Sequence, residues 1–403
     1  MILLRTGLGA VCALALLFTS LLASELRADT IKVGEINSYT RLPAFTEPYK
    51  KGWQLALEEI NAAGGVKGSE IEVISRDDAG EPGTAIRIAE EMVTRDEVVL
   101  LWGTFFSHVG LAVTDFAKQR QELFIATEPL SDALVWSKGN RYTYRLRPST
   151  HMQAAMLAEA AAKLPAKRWA TVAPNYAYGT DAVARFKEAL TELRPDVVFV
   201  EEQWPPLFKI DAGATARALE AADPDAIYNV TFGGDLAKFV REGSLRGLFE
   251  GREVVSLLSG EPEYLDPLGA EAPEGWIVTG YPWYAIEDPA HQAFVEAYEE
   301  RWDETPKNGS LVGYNSMLAI AAVLEQAESL ETEDLLAAME DLTFESPIGE
   351  ITFRASDHQS TMGAWVGRTA VVDGEPKMID WRYAPGGDYL PSPEEAMKLR
   401  PAE

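Results

Sequence analysis

The sequence predicts an α/β protein of two lobes, each a parallel sheet covered by helices. Three observations predict it. Short apolar runs alternate with amphipathic helical segments. The alternation starts afresh after Pro148, and two long helical segments without strands of their own appear late in the chain.

The first unit precedes residue 148. Residues 31–36 read as a strand, and residues 49–62 carry Trp53, Ala56, Leu57 and Ile60 at helical spacing. Gly64-Gly65-Val66-Lys67-Gly68 stops that helix and turns the chain into a strand at 71–75. A helix at 84–95, a strand at 98–102, a helix near 109–119 and a strand at 123–126 follow. The second unit repeats the scheme: helix 150–163, strand 169–173, helix 179–193 and strand 197–201. Residues 212–222 then lead into 226–230, and 235–242 into 254–258.

The late helices, 289–302 and 310–327, lack partner strands, which places them back on the first lobe. A β-rich tail runs from 351 to 381. Strand-like segments near 144–147, 278–284 and 349–352 read as crossings between the lobes. Several crossings make a hinge, and a hinge beside a cleft suits closure around a ligand.

The chain opens with Arg5, an uncharged apolar run at 8–23 and Ser24-Glu25-Leu26-Arg27-Ala28. This describes a secretory signal peptide, residues 1–28, cut after Ala28 or, as the alternative, Ala23. The run is shorter than the ~20 residues that span a bilayer. Cys12, the one cysteine, lies inside it, so the mature chain has no thiol for a disulfide, a metal thiolate or a nucleophile. A large exported bacterial domain buries enough core to do without covalent staples.

Charge excludes another class. Sixty-three acidic residues against 36 basic ones give a net charge of −27. Removing Arg5, Glu25 and Arg27, +1 in all, leaves about −28 on the mature chain, which phosphate backbones and anionic membranes repel. No nucleic-acid partner is expected, and the mature length fits two domains.

Catalytic and cofactor motifs are missing. There is no His-Glu-x-x-His, Gly-x-Ser-x-Gly, Walker-type Gly-Lys-Ser/Thr or Gly-x-Gly-x-x-Gly. The glycines at 64, 65 and 68 follow a helix, whereas a phosphate cradle opens onto a helix N-terminus. His108, His151, His291 and His358 are too scattered for metal-ligand spacing. Asp77 with Asp78 and Glu201 with Glu202 read as capping or solvated pairs. Asn229-Val230-Thr231 and Asn308-Gly309-Ser310 match the glycosylation triplet, which is frequent by chance. No enzyme, cofactor or metal site is expected.

Gly52-Trp53-Gln54-Leu55-Ala56-Leu57-Glu58-Glu59-Ile60-Asn61-Ala62-Ala63-Gly64-Gly65-Val66-Lys67-Gly68 resembles the first helix and turn of the Leu/Ile/Val-binding family, type I periplasmic solute-binding proteins that serve ABC importers. Residues 103–107, 175–181, Phe232-Gly233-Gly234 and 309–316 continue the resemblance in order, as do Ile348-Gly349 and Asp357-His358-Gln359. It covers nearly all of the mature chain. The resemblance implies two Rossmann-like lobes joined by three crossovers, residues 29–146 with 280–350 and residues 147–279 with 351–403. It implies a monomer in the periplasm, an ABC permease in the inner membrane as partner, and a small ligand in the cleft.

Site residues carry over position by position. Gly103-Thr104-Phe105-Phe106-Ser107 resembles the first contact loop, with Ser107 as the hydroxyl that holds a ligand carboxylate and Phe106 beside it. Thr127-Glu128-Pro129-Leu130-Ser131 corresponds to the second loop, where Thr127 or Ser131 supplies a hydroxyl and Glu128 departs from the family's small residues. In Asn175-Tyr176-Ala177-Tyr178-Gly179 the resemblance makes Tyr178, with Tyr176 second, the residue that closes over the ligand. Asp235 follows Phe232-Gly233-Gly234. Glu261 matches the carboxylate set against a ligand ammonium, and Tyr39 is a wall. In open α/β sheets ligands collect beyond the carboxyl ends of the strands, and a carboxylate with aromatic faces suits an ammonium.

The expected function is capture of a small amino acid, or a related amide or amine, for import. Glu128 and the aromatics Phe105, Phe106, Tyr176 and Trp283 motivate an alternative, an aromatic carboxylate. A periplasmic sensor that signals on closing is the other alternative.

Overall fold

The computed structural model describes residues 30–401; the expected signal segment and Cys12 lie outside the described residues. The chain first runs β1 (Ile31–Asn37), α1 (Pro43–Ala62), β2 (Ile71–Asp77), α2 (Pro82–Glu91), β3 (Leu101–Gly103), α3 (Ser107–Arg120), β4 (Phe124–Ala126) and β5 (Thr143–Arg145). These strands form one five-stranded sheet, ordered β2-β1-β3-β4-β5 and parallel throughout. β3, β4 and β5 are buried along their whole length, as a sheet covered on both faces requires.

The second unit runs α4 (Thr150–Ala161), β6 (Arg168–Val172), α5 (Ala177–Leu193), β7 (Val198–Gln203), α6 (Ala212–Ala222), β8 (Ala226–Asn229), α7 (Gly233–Leu245), β9 (Glu253–Gly260), the single turn α8 (Pro262–Leu265) and β10 (Ile277–Gly280). Then come α9 (Pro289–Trp302), α10 (Asn308–Gln326), α11 (Thr332–Met339), the hairpin β11 (Thr343–Ser346) and β12 (Gly349–Thr352), β13 (Ala364–Val372), β14 (Glu375–Ala384) and α12 (Pro393–Leu399).

The second sheet has seven strands in the order β14-β13-β10-β9-β8-β6-β7. Its core is parallel, and β13 and β14 extend it antiparallel at the β10 edge. The β-rich tail therefore belongs partly to the second lobe's sheet.

The late helices pack on the first lobe, as their lack of partner strands predicts. α10 lies against α1 at a separation set by glycine: a Cβ on Gly52 would sit 1.9 Å from the Ser310 carbonyl oxygen, and one on Gly313 2.0 Å from that of Tyr49. α1 starts at Pro43, ahead of the expected residue 49. A proline at the first helical position is already set to helical φ, and Thr46 Oγ1 donates to the Leu42 carbonyl at 3.0 Å.

The crossings are tied to one another near β5. Ser360 N donates to the Arg145 carbonyl at 2.9 Å, and Gln359 Nε2 to that of Arg147 at 3.0 Å. Arg145 is fully buried and donates to the backbone carbonyls of Leu130 and Ser131.

Candidate functional site

The loops that line the cleft between the lobes leave the carboxyl ends of strands, those after β3 and β4 on one side and after β6, β8 and β9 on the other. This is where parallel α/β sheets offer loops and helix N-termini. Between them lies a narrow, partly open cavity, lined by Phe105, Ser107, Glu128 and Leu130 from the first lobe. Tyr176, Tyr178, Phe232, Leu258 and Tyr264 line it from the second, and Arg147 enters from the crossing after β5.

The aromatic rings form a connected wall. Tyr178 meets Tyr176 at 5.8 Å between centroids and Phe232 edge-on at 5.7 Å; Phe232 reaches Phe105 at 6.3 Å and Tyr264 at 6.1 Å. These distances suit tilted and edge-to-face pairs, which add to the energy of burial. The Tyr178 and Tyr264 hydroxyls are buried with no partner.

Charge enters the wall at three points. Arg147 Nη2 pairs with Glu261 Oε1, both side chains at most 4% exposed. Asn308 Nδ2, at the start of α10, donates to the same oxygen at 2.9 Å, while Glu261 Oε2 is buried and unpartnered. Burial pushes the Glu261 carboxyl up against the pull of Arg147 and Asn308. Glu128 Oε1 accepts from Asn37 Nδ2 at 2.8 Å, and its Oε2 too is buried without a partner. Burial holds Glu128 well above the carboxylate range.

Four of the residues expected from sequence, Ser107, Glu128, Tyr176 and Tyr178, line this cavity. Glu261 stands behind Arg147, lining a small adjoining hinge cavity together with Asn308, Gln153 and Trp365. The other five point elsewhere. Thr127 Oγ1 bonds the Tyr49 hydroxyl at 2.8 Å, and Ser131 Oγ donates to Asp181 across the lobes. Phe106 is buried against Phe105 and Phe208. Asp235 faces Lys238 one turn on, and Tyr39 accepts from Trp53 Nε1 at 3.3 Å. Trp283 borders a separate surface groove with Tyr284 and Lys377.

Sequence reasoning missed Arg147, Leu258 and Tyr264. Arg147 was hidden inside a segment read as a strand-like crossing. A basic residue two positions past another, before Pro148, was the available signal. Both glycosylation triplets are internal: Asn229 bonds Ser256 Oγ at 2.7 Å, and Asn308 holds Glu261. Among the described residues no helix is long and apolar enough to cross a membrane, and no acidic, His or Cys group has metal-site geometry.

Known proteins resemble this chain in sequence and fold. The leucine-, isoleucine-, valine-, threonine- and alanine-binding protein of Pseudomonas aeruginosa is 25% identical over 343 residues, covering 82% of this chain and 87% of its own length. A solute-binding protein of an ABC transporter from Rhodopseudomonas palustris BisB5, solved with 3,4-dihydroxybenzoic acid, is 25% identical with a TM-score of 0.78, covering 89% of this chain and 98% of its own. The closed form of the leucine-, isoleucine-, valine-, threonine- and alanine-binding protein of Brucella ovis, 20% identical, gives a TM-score of 0.79 over 90% of this chain and 97% of its own. A family model described as periplasmic binding protein matches residues 30–375, and the chain belongs to that family.

Proposed function

We propose that this chain is the periplasmic substrate-binding component of an ABC importer. It captures one small molecule bearing an amino or amide group and hands it to an inner-membrane permease without changing it chemically. The lobes, residues 29–146 with 280–350 and residues 147–279 with 351–403, close about the three crossings as a monomer.

The observation that carries this reading is the cavity at the carboxyl ends of both sheets, lined from both lobes and the hinge. A ligand there is surrounded only when the lobes meet, so its binding energy is spent on closure. Ser107, Glu128, Tyr176 and Tyr178 are its contacts, with Glu261 acting beside Arg147.

An aromatic carboxylate is the second reading, favoured by five aromatic rings around the cavity. Mass spectrometry of the ligand that co-purifies with the protein, followed by titration calorimetry and small-angle scattering, tests both. A bound small molecule that compacts the protein supports import or sensing; neighbouring permease and ATPase genes support import. A lone neighbouring kinase gene, or turnover of the bound molecule, overturns the importer reading.

A further inference from the structure

Of the three hydroxyls that sequence assigned to a ligand carboxylate, two are held by other side chains, and Ser107, which accepts one bond, keeps its own O–H to donate to a ligand oxygen. Ser107 Oγ accepts from Ser131 N at 3.2 Å, Thr127 Oγ1 is held by Tyr49, and Ser131 Oγ is held by Asp181. Glu128 occupies the same loop and lines the cleft, and its Oε2 is buried without a partner. The one cation in the lining, Arg147, already has Glu261 as its counter-ion, and the second Glu261 oxygen is unpartnered as well.

Charge balance then discriminates between ligands. With both carboxyls ionised, as a cation seated on Glu128 requires, Glu128, Glu261 and Arg147 together carry one net negative charge, and all three are buried. A cationic ligand brings that sum to zero. A zwitterion leaves it unchanged while adding a second buried charge, and a benzoate doubles it. Buried charge without a counter-charge is the most expensive item in a closed site.

From these contacts we infer that the solute carries a positively charged amino head and no carboxylate, its other polar group being an uncharged oxygen, as in an amino amide or amino alcohol. The inference rests on reading this cleft as the solute site. The head sits against Glu128 Oε2 and the faces of Tyr176, Tyr178 and Phe232, where carboxylate and ring quadrupoles both favour a cation. The neutral oxygen meets the free Arg147 N–H groups and the N-termini of α3 and α5, neither capped by a side chain. A carbonyl or hydroxyl satisfies such donors without adding charge.

Calorimetry on the purified exported protein, with closure followed by scattering, tests this with matched probes: leucine against leucinamide, phenylalanine against phenylalaninamide, benzoate against benzylamine. The amide or amine of a pair is expected to bind about 100-fold more tightly than its acid. E128Q, which keeps the acceptor for Asn37, is expected to erase most of that preference while unfolding at or above the wild-type temperature. An acid that matches or exceeds its partner overturns the charge inference and leaves the solute-binding reading standing. Failure of every probe to close the protein overturns both.

Discussion

Arg147 and Glu261 form an ion pair at the meeting of the hinge and the second lobe, with side chains 4% and 3% exposed. Glu261 is also held by Asn308 of α10, on the first lobe, so one carboxylate joins three parts of the molecule. Removing one member of such a pair strands the other. Arg147→Met is expected to destabilise the folded protein by about 3–5 kcal/mol in denaturant unfolding. The double variant with Glu261→Gln should recover most of that loss, because no buried charge is then left alone. Equal stability of R147M and wild type would show that the pair is solvated in solution.

Asp181 supplies a second link between the lobes. Its Oδ2 accepts from Ser131 Oγ and, at 3.1 Å, from the Asp132 amide, while lying outside the cavity lining. Asp181→Ala removes this link without touching the ligand. Affinity is expected to drop roughly tenfold, through faster release and not slower capture, because the contact forms only on closing. Stopped-flow fluorescence separates the two rates, and a change confined to the association rate would contradict the assignment.

Much of this architecture was legible in the sequence, and the part that was not has a physical reason. Hydrophobic periodicity reports which face of an element is buried, so the alternation about Pro148 and the 289–302 helix were readable, the latter to the residue. Periodicity does not report where a polar group points. Thr127, Ser131 and Tyr39 sit on the right loops, yet their hydroxyls meet Tyr49, Asp181 and Trp53, partners distant in sequence. Arg147 is the converse case. Its role depends on a carboxylate more than a hundred residues away, which the local pattern of two basic residues before Pro148 does not name. The family resemblance put residues 351–403 with the second lobe, but the antiparallel pairing of β13 with β10 was not readable locally, because strand pairing is a long-range choice.

The Gly52 and Gly313 contacts give the α1–α10 interface a sharp test. Alanine is the better helix former by about 1 kcal/mol, so an unhindered site would gain from Gly313→Ala. Here the added methyl would meet the Tyr49 carbonyl at 2.0 Å and the Trp53 amide nitrogen at 3.0 Å, backbone atoms that move only if the helices part. Overpacking of this kind costs typically 1–3 kcal/mol, which outweighs the propensity gain. A lowered unfolding temperature is expected, and an unchanged or raised one would mean that the helices separate freely.

Proton release offers a test of the ligand's charge that is independent of affinity. Glu128 is faced by Asn37 and Glu35 from β1, by Tyr49 from α1, by Arg147 from the hinge and by Glu261 from the second lobe. Burial raises its carboxyl well above the usual range, which favours a proton there in the unliganded closed site. An ammonium seated on Glu128 favours the carboxylate and lowers that value, and the proton leaves as the ligand binds. By linkage the affinity for an amine then rises with pH, by up to about tenfold per unit, between the liganded and unliganded values. Calorimetry in two buffers of different ionisation enthalpy measures the release directly. The wild type should lose a fraction of one proton on binding an amine and E128Q none; proton uptake by the wild type would mean that the bound head is an anion.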